Sequence, residues 1–83
     1  MTFNDVREFY KQEDIRCQWL GAAPMNYSRL REMSIDAMKE QFGFTSEQAT
    51  RIFDYAAEKY HSCYDNVIEN CVGLCYFLKA FPY

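Results

Sequence analysis

The chain has 83 residues, of which 49% are hydrophobic and 18% aromatic, and it carries a formal charge of −3 from nine Lys and Arg against twelve Asp and Glu. So many large side chains exclude a disordered tail, and the acidic balance supplies no general attraction to nucleic acid. The length allows a single small domain, residues 1–83, which buries only about 60% of the unfolded chain's surface and leaves exposed apolar groups to be explained by another chain.

Two punctuated stretches, Gly21-Ala22-Ala23-Pro24 and Gly43-Phe44-Thr45, divide the sequence into three segments of helical periodicity. The first begins with Thr2 and Asp5 in capping-box spacing. Its N-terminus carries acids and no apolar stretch, so no secretory signal is expected. Phe3, Val6, Tyr10, Cys17 and Leu20 share one side of a helical wheel, whereas Ile15 and Trp19 fall on another. This helix therefore breaks near Glu13 and Asp14 or meets neighbours on two faces. The second segment runs from about Tyr27 to Phe42, with Asn26 as N-cap and Gly43 as the left-handed terminator. Tyr27, Leu30, Met33, Ala37, Met38 and Phe42 form its apolar face.

The third segment opens on the clearest local signal. Thr45 and Gln48 have capping-box spacing, and Phe44 stands where a hydrophobic staple would use it. From Ala49 an apolar stripe continues in phase at ~100° per residue through Ile52, Phe53, Ala56, Tyr60, Cys63, Tyr64, Val67, Cys71, Leu74 and Leu78. The unbroken phase predicts one helix over about 46–79, which at ~1.5 Å per residue is ~50 Å long. The expected fold is all-α: this long helix is the spine, the second helix folds back along its first half, and the first helix lies along its second. The longest apolar run, Cys71 to Leu78, is far short of the ~18 residues a membrane helix needs, so a soluble cytoplasmic protein is expected, with no membrane partner. Beyond Asn70 the helix is apolar on every side, and Val72, Tyr76 and Phe77 are assigned to an oligomer or partner interface.

The stretch His61 to Cys75 holds the single histidine and three of the four cysteines. On a continuous helix His61 and Cys63 point almost oppositely, so they cannot converge with Cys71 and Cys75 on a metal. Buried, reduced core cysteines are expected, with no metal and no cofactor. No C-x-x-C motif, catalytic dyad or phosphate loop is present, so no enzymatic activity is expected. The hairpin around Gly43 has the outline of a helix-turn-helix, with Ser46, Gln48, Thr50 and Arg51 at the start of its second helix. However, Glu47, Asp54 and Glu58 share that exposed side and would repel phosphate, so direct nucleic-acid binding is not the leading expectation.

The same acids suggest a different use. Glu47, Asp54, Glu58, Asp65 and Glu69 follow steps of 7, 4, 7 and 4, and on one helix they occupy a ~60° strip about 33 Å long. Tyr55, off the core stripe, adds an aromatic contact of the kind enriched at interfaces. A short, acidic, tyrosine-rich helical chain of this character resembles the small phage-encoded proteins of anti-CRISPR or anti-restriction type. The resemblance implies an inhibitor or adaptor that docks on the basic surface of a larger, nucleic-acid-handling protein. The alternatives are a dimeric helix-turn-helix regulator and a structural homo-oligomer.

Overall fold

The computed structural model describes residues 1–20, 26–60 and 64–81. They form four helices: α1 (Phe3–Leu20), α2 (Tyr27–Phe42), α3 (Ser46–Lys59) and α4 (Tyr64–Ala80). The all-α class is as expected, but the long spine is not. The segment expected to be one helix over 46–79 holds two, α3 ending at Lys59 and α4 beginning at Tyr64. Tyr60 ends α3 with non-helical backbone (φ −127°, ψ 37°) while its N–H donates to the Ala56 carbonyl. His61 and Cys63, the other half of the candidate metal group, lie outside the described residues.

The break has a physical reason. A ~50 Å helix could be covered at each point along its stripe by only one of the two shorter helices, whereas folding it in two lets its halves pack on each other as well as on α1 and α2 and close a shared core. The local chemistry agrees with it. Lys59 sits in the last turn of α3 and Asp65 in the first turn of α4, each at the helix end that its charge stabilises. Tyr60, His61 and Ser62 are weak helix formers.

The other boundaries follow from caps. The Asn26 side chain accepts from the Arg29 N–H, and Gly43 closes α2 in the left-handed conformation (φ 76°). The Thr45 hydroxyl accepts from the Gln48 N–H at 3.1 Å while the Gln48 side chain accepts from the Thr45 N–H at 3.0 Å. This reciprocal box fixes the start of α3 three residues after α2 ends.

Side-chain contacts define the topology. The Phe3 N–H donates to Gln41 Oε1 at 3.0 Å, so α1 starts beside the end of α2. Tyr27 packs on Phe53 in the middle of α3 and on Tyr64 at the start of α4, with ring centroids 5.9 and 5.6 Å apart, so α2 starts far from the α2–α3 connection and runs antiparallel to α3. Phe42 meets Tyr76 edge-on at 5.0 Å, bringing the ends of α2 and α4 together. The result is an up-down-up-down bundle in which α2 and α4 touch across one diagonal, while α1 and α3 occupy the other corners without contact among the described residues. Once the spine is folded, α2 does lie on α3 and α1 on α4, as expected.

The core is centred on Phe3 and Val6 of α1, Leu30, Ala37 and Met38 of α2, Ala49, Phe53 and Ala56 of α3, and Val67, Ile68, Cys71 and Cys75 of α4, each 1% exposed or less. Every large side chain among them contributes ~1.5–3 kcal/mol by burial. Ser34, the buried polar residue, donates its hydroxyl to the Leu30 carbonyl at 2.7 Å. Helix α1 runs unbroken past Glu13 and Asp14, but none of residues 11–19 is buried. Its second apolar side is therefore uncovered rather than shared with a neighbour: Ile15 is 41% and Trp19 83% exposed.

Candidate protein-binding surface

Folding the long segment in two dismantles the acidic strip. Glu47, Asp54 and Glu58 stay on α3, and Asp65 and Glu69 move to the antiparallel α4. Three of these carboxylates hold arginines. Glu47 pairs with Arg51 one turn on at 2.7 Å. Asp54 accepts from Arg31 of α2 at 3.3 and 3.4 Å. Glu69 accepts from Arg7 of α1 at 2.6 and 3.2 Å, and this two-pronged contact holds the Glu69 carboxyl below the usual carboxylate range. Asp54 thus faces α2 and Glu69 faces α1, on different flanks of the bundle. Asp65 accepts from the Asn66 N–H at 2.9 Å at the start of α4, and Glu58 has no ion pair among the described residues.

Tyr55 lies on a different feature from the acids. It is 56% exposed and, with Arg51 and Ile52 of α3 and Leu74 and Leu78 of α4, lines an apolar groove of about 240 Å³. Phe77 and Phe81 continue this surface towards the end of α4. They are 54% and 60% exposed, and their rings pack on each other with centroids 5.1 Å apart. Of the residues assigned to an interface, Phe77 alone lies on this open side. Val72 is half-buried against the core, and Tyr76, although 60% exposed, leans on Phe42.

Gly73 and Phe81 were not singled out by sequence, and Leu74 and Leu78 were read as part of the core stripe and not as the wall of a groove. The signal was there: Leu74, Phe77, Leu78 and Phe81 recur at i, i+3, i+4 and i+7, a second apolar stripe beside the core stripe of Val67, Cys71 and Cys75. It was hidden because Leu74 and Leu78 fit the phase of an uninterrupted helix. The outer flank of α4 also lacks charge. Around the wheel, Asn66, Asn70, Gly73, Phe77 and Phe81 fall on the side away from α1. The helix's charged groups lie elsewhere: Glu69 meets Arg7, Lys79 stands 4.5 Å over the Phe44 ring, and Asp65 shares that other half of the wheel. Near the other end, Tyr60, Asn66, Glu69 and Asn70 line a hollow of about 400 Å³, and the buried Asn70 Oδ1 has no hydrogen-bond partner.

The sulfur chemistry is consistent with packing. Cys71 and Cys75 are fully buried, and burial pushes both thiols up to about 12. They stay protonated at neutral pH, the unreactive form of a thiol. Among the described residues no group of three or more His, Cys, Asp or Glu is placed to hold a metal ion, and no helix is long and apolar enough to cross a membrane.

The α2–α3 pair also differs from a DNA-reading motif. Tyr27 on Phe53 and Arg31 on Asp54 keep the two helices side by side about three turns from their connection, whereas the helices of a helix-turn-helix diverge at roughly 90–120°. Comparison with protein-family models, with curated proteins and with solved structures finds no match.

Proposed function

We propose that this chain is a non-enzymatic helical binding protein that docks another protein surface along the α3–α4 face. One observation carries this: Tyr55, more than half exposed, lines an apolar groove with Ile52, Leu74 and Leu78, and Phe77 and Phe81, also more than half exposed, stand three residues on from Leu74 and Leu78 along the same helix. Exposed aromatics beside a recess are the anchors of protein interfaces, because they remove much apolar area from water at little cost in side-chain freedom. A photo-crosslinking amino acid placed at position 55 or 77 in the native cells is expected to give discrete adducts, and one at Glu40 on α2 none. If neither position yields an adduct, to this chain or to any other, the proposal fails.

A narrower role, an inhibitor seated on the basic surface of a nucleic-acid-handling protein in the manner of phage anti-defence proteins, is favoured by Glu58, the exposed acid of α3 with no ion pair among the described residues. Its footing is now α3 alone. Glu47, Asp54 and Glu58 would steer a basic partner towards Tyr55, with a salt-sensitive association rate. Glu58→Lys is expected to slow association several-fold at low salt. An unchanged rate would remove the acidic residues from the mechanism.

A further inference from the structure

We infer that the occupant of the α4 outer flank is a second copy of this chain, forming a two-fold dimer in which α4 crosses α4. This inference rests on the docking surface just proposed and names its partner. Three independent observations converge on it.

The first is charge. Each copy carries a net −3, so most ways of apposing two copies bring like charges together. The strip of Asn66, Asn70, Gly73, Phe77 and Phe81 itself carries no charged side chain, and Glu69, which shares a hollow with Asn66 and Asn70 at its border, is paired with Arg7, so two such strips meet at little electrostatic cost.

The second is Gly73. It lies inside α4 with ordinary helical backbone, and a Cβ built there meets nothing within 4 Å. Packing within the chain therefore gives no reason for glycine, which destabilises a helix interior by roughly 1 kcal/mol relative to alanine. A neighbour whose side chain enters the gap supplies the reason. With the two-fold axis near Phe77, antiparallel α4 helices set Phe77 against Phe77 of the other copy and bring Phe81 of each over Gly73 of the other.

The third is area. At ~200 Å² per aromatic side chain, the exposed fractions of Tyr55, Phe77 and Phe81 with the edges of Leu74 and Leu78 amount to about 400 Å² of apolar surface. Interfaces are roughly 57–65% apolar, so this area implies about 600–700 Å² per copy. A standard stable interface takes about 800 Å² per partner.

Sedimentation equilibrium on the whole chain, from about 5 to 300 µM, tests the inference over the range in which interfaces of this size dissociate. Wild type is expected to dimerise. Phe77→Asp and Gly73→Leu should each weaken the dimer at least tenfold while leaving the far-ultraviolet helical signal unchanged. Gly73→Ala separates interface from fold: it should raise the denaturation midpoint of the dilute monomer and weaken self-association. A wild type that stays monomeric at 300 µM overturns the inference, as does a dimer that survives both Phe77→Asp and Gly73→Leu. Photo-adducts from position 77 joining only a different protein also overturn it, while leaving the α3–α4 docking surface standing.

Discussion

Replacing Tyr27 with alanine tests the fold at the point where it departs from the long-helix expectation. The Tyr27 ring touches Phe53 at 5.9 Å and Tyr64 at 5.6 Å between centroids, holding the middle of α3 and the start of α4 together. Phe53 and Tyr64 are eleven positions apart in sequence. On a continuous helix they would stand ~16 Å apart, beyond the reach of one ring. Tyr27 is 37% exposed, so about 125 Å² of a ~200 Å² side chain is buried, and at ~25 cal/mol per Å² this gives ~3 kcal/mol. The extended-chain reference makes that an upper figure, and two aromatic pairs add ~0.5–1.5 kcal/mol each. Tyr27→Ala is therefore expected to cost about 2–4 kcal/mol in urea denaturation followed by circular dichroism. The sharper measurement is a pair of double-mutant cycles. Coupling of Tyr27 to Phe53 and to Tyr64 should each be about 1 kcal/mol. Coupling to Phe53 with none to Tyr64 would refute the folded-back arrangement.

Three other outcomes follow from single contacts. Gly43→Ala should cost about 1 kcal/mol: a Cβ there meets nothing within 4 Å, so the whole loss comes from φ 76°, and chemical denaturation reads it directly. Cys71 and Cys75, with thiols pushed up to about 12, should resist iodoacetamide at pH 8 in native buffer, whereas partly exposed Cys17 reacts; all three should react in denaturant, as peptide mapping will show. Arg7 and Glu69 are exposed, so solvent and salt limit their coupling to roughly 0.2–1 kcal/mol. Because Arg7 lowers the Glu69 pKa from 4.5, that stability is present above pH 4.5 and lost as pH falls through the lowered value, so wild type and Glu69→Gln should converge in stability towards pH 3.

What was legible in the sequence was chiefly local. Asn26, Gly43, Thr45 and Gln48 act within four residues of the termini they set, and each does in the structure what its chemistry implies. The apolar face of α2 was legible for the same reason: Leu30, Met33, Ala37 and Met38 repeat at helical spacing and are buried. The end of α3 at Lys59 and the fresh start of α4 at Tyr64 were hidden by accident of phase. Three or four extra residues between two amphipathic helices nearly preserve a 3.6-residue period, so the stripe from Ala56 to Val67 reads as continuous even though the chain reverses. Lys59 and Asp65 were the available counter-signal. The acidic strip inherited the same error, because its five members shared a face only if the helix did not stop. Long-range pairs such as Arg7 with Glu69 and Arg31 with Asp54 have no signature in a single sequence, since either arginine has several carboxylates at comparable separation.

The apolar excess of α4 is best understood by asking which neighbours the bundle can give it. In this arrangement α4 has α1 on one side, α3 on the other and α2 across the diagonal. Those three cover Val67, Ile68, Cys71 and Cys75 completely and Leu74 and Leu78 in part. No fifth helix exists in the chain's described residues to cover Phe77 and Phe81. Apart from Ile15 and Trp19 in the second half of α1, the other helices place mainly charged and polar residues at their outward positions, among them Glu8 and Lys11 on α1, Arg29 and Glu32 on α2, and Glu47 and Arg51 on α3. Helix α4 instead puts asparagine, glycine and phenylalanine there. Covering about 400 Å² of such surface is worth ~10 kcal/mol gross, which is of the same order as the 4–15 kcal/mol that association costs. A partner that brings an equal apolar area of its own doubles the gain against a single cost of association. A second copy of this chain meets that condition by symmetry, and a charged, flat partner does not.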